Sequence, residues 1–195
     1  MAANAARTDW RDGLSTAADL ALVGIAVTVA ALPVVTAGAA VRTGSLAAHR
    51  VLAGERVPPP AELWRVFRRA LLPGAAATAV VLAVAGLLVV DLVALTSRRV
   101  PGGPVAIAVT GCVAAGLAAL AGLTVVRLGR DAGTGWIAAA RWATGTVKRR
   151  PGTAAATAGV LALAVVLAWL VPATAPLVLG VTLYALHVVS RRAAP

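Results

Sequence analysis

The chain has 195 residues, 60% of them hydrophobic and only 13% charged, with a mean hydropathy of +0.89 and a formal net charge of +11. Soluble domains carry about a quarter charged residues, so this composition argues against a water-soluble fold, and a lone cysteine, Cys112, leaves no intrachain disulfide or thiolate metal site. So basic a soluble protein would point to nucleic acid, but here the arginines stand between apolar blocks, where they set topology and meet anionic headgroups; no nucleic-acid partner is expected.

About 20 apolar residues in helical form cross the hydrocarbon of a bilayer. In chain order the qualifying blocks are residues 20–41, 73–95, 105–126, 153–171 and 173–190, the last two separated only by Pro172 and its neighbours. Backbone groups in lipid must be satisfied within their own segment, so such runs are read as helices. Alternating ten-residue segments of the kind a transmembrane barrel needs are not found. The reading is an all-α fold: a polytopic transmembrane bundle of about five spans in a single membrane domain, residues 1–195, with one or two interfacial amphipathic helices.

The segment before the first block pairs Asp9, Asp12 and Asp19 with two arginines, and the block is longer than a signal-peptide core, so it is read as a retained span. Within it Pro33 cannot donate a backbone hydrogen bond and frees the carbonyl of Val29. Thr36 and Gly38 follow, residues that relieve or exploit a kink. The first span is therefore expected to be a shaped helix.

Pro58-Pro59-Pro60 ends any preceding helix, and residues 61–71 then read as amphipathic. Leu63, Trp64, Phe67, Ala70 and Leu71 share one face, with Glu62, Arg65, Arg68 and Arg69 on the other. This helix is read as lying in the cytoplasmic headgroup layer with Trp64 at the interface, either as an anchor or as a docking surface for a partner protein. Asp91, well inside the second block, is a costly intramembrane carboxylate and by default a functional candidate; pairing with Arg98 two turns later is the structural alternative. In the third block Cys112 is read as a small packing residue, and Gly111, Ala115 and Ala119 as a face open to another helix.

A weaker amphipathic segment covers 136–148, interrupted by Gly145. Trp64 precedes Pro73-Gly74, and Trp142 precedes Pro151-Gly152, by the same nine residues; Ala75-Ala76-Ala77-Thr78-Ala79 and Ala154-Ala155-Ala156-Thr157-Ala158 follow. This pattern fits a parallel duplication of an interfacial helix plus a two-span hairpin, or chance agreement in an Ala-rich chain. His187 lies three residues after Tyr184 on the last block, placed to bond across to another helix, whereas His49 is read as solvated.

No nucleotide-binding loop, dinucleotide fingerprint or HExxH is present, and neither histidine has carboxylates or thiols near it in sequence. No enzyme activity, metal or cofactor is expected. With five spans, fourteen basic residues fall on one side and four on the other. The positive-inside rule then places the N-terminus outside and the C-terminus in the cytoplasm.

Leu32-Pro33-Val34-Val35-Thr36-Ala37-Gly38-Ala39 resembles the LPVVT-x-G motif of the YesL-like family of bacterial integral membrane proteins. The likeness continues through Trp64-Arg65-Val66-Phe67-Arg68-Arg69 and Val90-Asp91-Leu92 and covers roughly residues 15–95. The chain departs from the family pattern at Gly24 and Val27, where Asn and Trp are expected. The resemblance implies a small helical protein of the bacterial plasma membrane, of unestablished activity, often encoded beside carbohydrate ABC-transport systems. It implies a non-enzymatic accessory component with an ABC sugar transporter or another membrane protein as partner, and it strengthens Asp91 as a candidate. A small transporter or channel, using the shaped first span and Asp91, is the alternative.

Overall fold

The computed structural model describes residues 2–97 and 103–192, with side chains from residue 13 onward. The helices are α1 (Ala2–Ala31), α2 (Ala37–Leu52), α3 (Pro60–Thr96), α4 (Gly103–Arg130), α5 (Trp136–Arg149), α6 (Pro151–Leu170) and α7 (Ala175–Arg192), and among the described residues there is no strand. Five segments are long and apolar enough to cross a membrane: Gly13–Ala31, Pro60–Thr96, Gly103–Arg130, Pro151–Leu170 and Pro172–Arg192. This is the all-α architecture of a multi-pass integral membrane protein.

Two boundaries differ from the sequence reading. The helix expected to run unbroken over 20–41 stops at Ala31. Pro33 is extended (φ −74°, ψ 106°), and a short 3-10 turn, Val34–Thr36, leads into α2. Proline withholds its N–H and disfavours the helical conformation at Leu32. The Thr36 hydroxyl then donates to the carbonyls of Ala30 and Pro33, satisfying acceptors that a broken helix leaves open. The result is a chain reversal rather than a kink.

The second difference runs the other way. The amphipathic segment 61–71 and the span 73–95 form one 37-residue helix, with Pro60 in its first turn and Pro73 inside it. A proline's fixed φ suits a helix, so Pro73 removes one hydrogen bond without ending the helix. At about 1.5 Å per residue α3 is about 55 Å long, well beyond the ~30 Å hydrocarbon layer.

The register of the helices is set by close contacts. Val27 of α1 meets Gly44 of α2, which the five-residue turn between them allows only if α2 folds back along α1. Gly38 lies on Gly74 while Arg50 pairs with Glu62 at 3.2 Å, so α3 runs antiparallel to α2. On its other side α2 runs with α7: Leu183 approaches Gly44, His187 sits at Ser45 and His49, and Arg191 reaches the Leu52 carbonyl. The start of α1, the end of α2, the start of α3 and the end of α7 therefore share one end of the bundle. The end of α4 joins them through Arg130 and Ser190, 2.8 Å apart.

The packed centre forms around α2, whose Gly38, Ala39, Ala40 and the run Gly44–Ala48 are buried. Val23, Val27 and Leu183 close over it from α1 and α7. By contrast, α3 beyond Gly74 and α4 before Ala119 carry no buried residue among those described. Cys112, expected as a packing residue, is exposed on that part of α4.

Candidate functional site

Three of the residues singled out in the sequence, Pro33, Thr36 and Gly38, converge on the α1–α2 reversal. Pro33 starts it, Thr36 closes the freed carbonyls, and Gly38 lets α3 approach. The Gly38 N–H donates to the Thr78 hydroxyl at 2.9 Å, and that hydroxyl donates in turn to the Gly74 carbonyl at 2.9 Å. A Cβ at Gly38 would overlap the Gly74 carbonyl, and one at Gly74 would overlap the backbone of Ala39. Gly24 plays the same part for α7. Any side chain there would run into the carbonyl of Pro176 and the amide of Gly180, which leaves no room for an asparagine at that position.

The other predicted residues stand apart from this turn. Trp64 is 60% exposed and stacks on Phe67 with ring centroids 5.6 Å apart, on the part of α3 that carries Arg65, Arg68 and Arg69. Asp91 accepts a hydrogen bond from the Thr110 hydroxyl at 2.8 Å, tying α3 to α4, and is exposed. Its proposed partner Arg98 lies outside the described residues.

A polar cluster that the sequence reading did not assemble occupies the shared end of α2, α4 and α7. His187 is fully buried, with Nε2 3.0 Å from the Ser45 hydroxyl and 3.1 Å from the Ser45 carbonyl. The Ser45 hydroxyl donates to the Val125 carbonyl at 2.8 Å, so the imidazole must be the donor at Nε2, leaving Nδ1 with a lone pair. The His49 ring lies against it, centroids 5.1 Å apart, and the Nδ1 atoms of both rings are buried without a protein partner. Arg130 donates to Ser190, whose hydroxyl donates to the His187 carbonyl at 2.9 Å; Arg191 covers the last carbonyl of α2.

The field in this cluster is positive. Burial, then Arg191 and Arg130, hold the His49 imidazole below the ordinary histidine value, with Glu55 only partly offsetting them. A cation would be repelled here, and among the described residues no group of three or more His, Cys, Asp or Glu side chains is placed to hold a metal. What the cluster does is fasten three helix ends: buried hydroxyls and imidazoles bond across helices where water is scarce. The sequence carried a partial signal for it, since Ser45 and His49 lie one turn apart on α2, and His187, Ser190 and Arg191 share a face of α7.

The connection from α4 to α5 is fixed to the same region. Asp131 accepts from the Thr134 hydroxyl at 2.6 Å and the Gly133 amide at 3.0 Å, and these bonds hold its carboxyl below the usual carboxylate range. Arg42 reaches over from α2 to the carbonyls of Ala132 and Thr134, at 2.8 and 3.1 Å. No protein-family model, no curated protein and no solved structure matches this chain.

Proposed function

We propose that the chain acts without catalysis in the bacterial plasma membrane, as an accessory component of a carbohydrate-uptake system whose partner is an ABC sugar transporter. The observation that supports this reading is the α1–α2 reversal. Pro33, Thr36 and Gly38, three of the residues that carry the resemblance to YesL-like proteins, each have a defined part in the turn and in its contact with α3. A helix as long as α3, carrying a basic segment beyond the hydrocarbon, also suits a protein that meets its partner at the membrane surface. Deleting the gene and measuring uptake of a panel of oligosaccharides tests the proposal. Selective loss of one sugar is expected, and unchanged uptake of every sugar would refute it.

In this reading both ends of the chain are cytoplasmic, which revises the outside N-terminus expected from an odd number of passes. Support comes from α1 running opposite to α7, and from charge. With the start of α1 at the basic end, sixteen of the 18 Lys and Arg residues belong to that end, and the other two fall in the sequence between α3 and α4.

A second reading, a small transporter, is favoured by one observation: the buried His187 with the half-buried His49 ring against it, a polar group packed between helices. Flux in reconstituted vesicles that falls with His187→Gln or Asp91→Asn would support it over the accessory role.

A further inference from the structure

We propose that the exposed basic faces of α3 and α5 bind the phosphates of anionic phospholipids, forming a collar around the end of the bundle where α2, α4 and α7 finish. Arg65, Arg68 and Arg69 lie exposed on the first turns of α3, and Arg141, Lys148 and Arg149 lie exposed on α5. The two helices adjoin, and each leads through a Pro-Gly step into an apolar segment. Among the described residues the ion pairs within 4 Å belong to Arg50 and Arg127, with Glu55, Glu62 and Asp131. Among the described residues, none of the six cations on the collar has a carboxylate within 4 Å.

The kind of partner follows from what stands among these cations. Trp64 is 60% exposed, Ile137 71% and Leu72 86%. A soluble acidic protein would neutralise the arginines but leave this apolar area in water. The headgroup layer satisfies both, with phosphates for the cations and the glycerol–acyl boundary for the indole and aliphatic groups. At about 55 Å against about 30 Å of hydrocarbon, α3 extends past the apolar layer, and its basic first turns suit that depth. Guanidinium groups also match phosphate oxygens in pairs, which favours tight contact over diffuse attraction.

The test uses the full-length chain. Native mass spectrometry of detergent-solubilised protein counts retained phosphatidylglycerol against phosphatidylcholine. Thermal unfolding is followed in bilayer discs of phosphatidylcholine with and without phosphatidylglycerol. Selective retention of phosphatidylglycerol and a raised midpoint are expected. The triple variant Arg65→Gln, Arg68→Gln, Arg69→Gln should weaken retention roughly tenfold or more, while the matching Lys variant retains most of it. An unchanged midpoint in pure phosphatidylcholine shows that the Gln variant is folded; if it falls, the α5 variant Arg141→Gln, Lys148→Gln, Arg149→Gln carries the same comparison. Equal retention of the two lipids, or retention indifferent to charge in both variants, would overturn the proposal. So would stabilisation matched by inorganic phosphate alone, which makes the ligand a free anion, or by poly-glutamate, which makes it an acidic protein.

Discussion

Gly38 and Gly74 touch backbone to backbone, and this contact fixes where α2 and α3 close on each other. It places the Gly38 amide on the Thr78 hydroxyl and, twelve residues further along α2, Arg50 on Glu62. Gly38→Ala or Gly74→Ala must push the helices apart, and over-packing of this kind costs about 1–3 kcal/mol. Gly86 and Gly111 are the controls, since a Cβ at either meets nothing within 4 Å. Alanine there gains helix propensity and should be neutral or stabilising by up to about 1 kcal/mol. Unfolding of the four variants in the same detergent separates the pairs; equal effects would mean the glycine contact is not formed.

The reversal before Gly38 depends on the Thr36 hydroxyl. Thr36→Val keeps the shape and removes the donor to two carbonyls, for an expected loss of about 1–2 kcal/mol. Thr36→Ser keeps the donor and should restore most of that loss. If Val and Ser variants unfold alike, the hydroxyl is not what closes the turn.

How much of this was legible in the sequence varied with the distance over which each feature is decided. The spans were visible because lipid imposes a local rule, an unbroken apolar run of sufficient length; 105–126 falls within α4, and 153–171 overruns the end of α6 by one residue. Pro33 was visible as a break, but its geometry was not. A kink and a reversal use the same local residues, and the outcome is decided by Gly44 receiving Val27 and by Gly38 receiving Gly74. Pro73 shows the converse, a breaker that α3 absorbs. The Ser45–His187 bond joins residues 142 apart in the chain, and nothing near either one marks the other. Cys112 was misjudged because burial of a free cysteine is a rule for cores, and its flank of α4 faces outward.

The cluster around His187 makes stability depend on pH with a definite sign. The His49 imidazole is held neutral by burial and by Arg191 and Arg130, so its folded-state pKa lies below the value near 6.5 of an unfolded chain. The unfolded state then binds more protons, and stability is lost as pH falls through 6.5 toward the folded-state value. Unfolding midpoints should fall on acidification, and His49→Gln should flatten that dependence. An unchanged slope in the variant would show that other groups set it. Ser45→Ala, which strips His187 of one partner and the Val125 carbonyl of its donor, should cost about 1–3 kcal/mol at neutral pH.

Membrane orientation gives the sharpest distinction between what the apolar blocks alone predict and what the helix directions predict. Five blocks counted as five passes put the two chain ends on opposite sides. The folded chain has α2 returning along α1 and α7 running with α2, so α1 starts where α7 finishes. Alkaline phosphatase, active only outside the cytoplasm, and green fluorescent protein, fluorescent only within it, can each be fused at either end. Fluorescence without phosphatase activity is expected at both. Phosphatase inserted in the α3–α4 connection at residues 98–102, and in the α6–α7 turn at Pro172–Thr174, should be active. Phosphatase activity at the N-terminus together with fluorescence at the C-terminus would restore the odd count, and would require α2 to leave α1 instead of folding back on it.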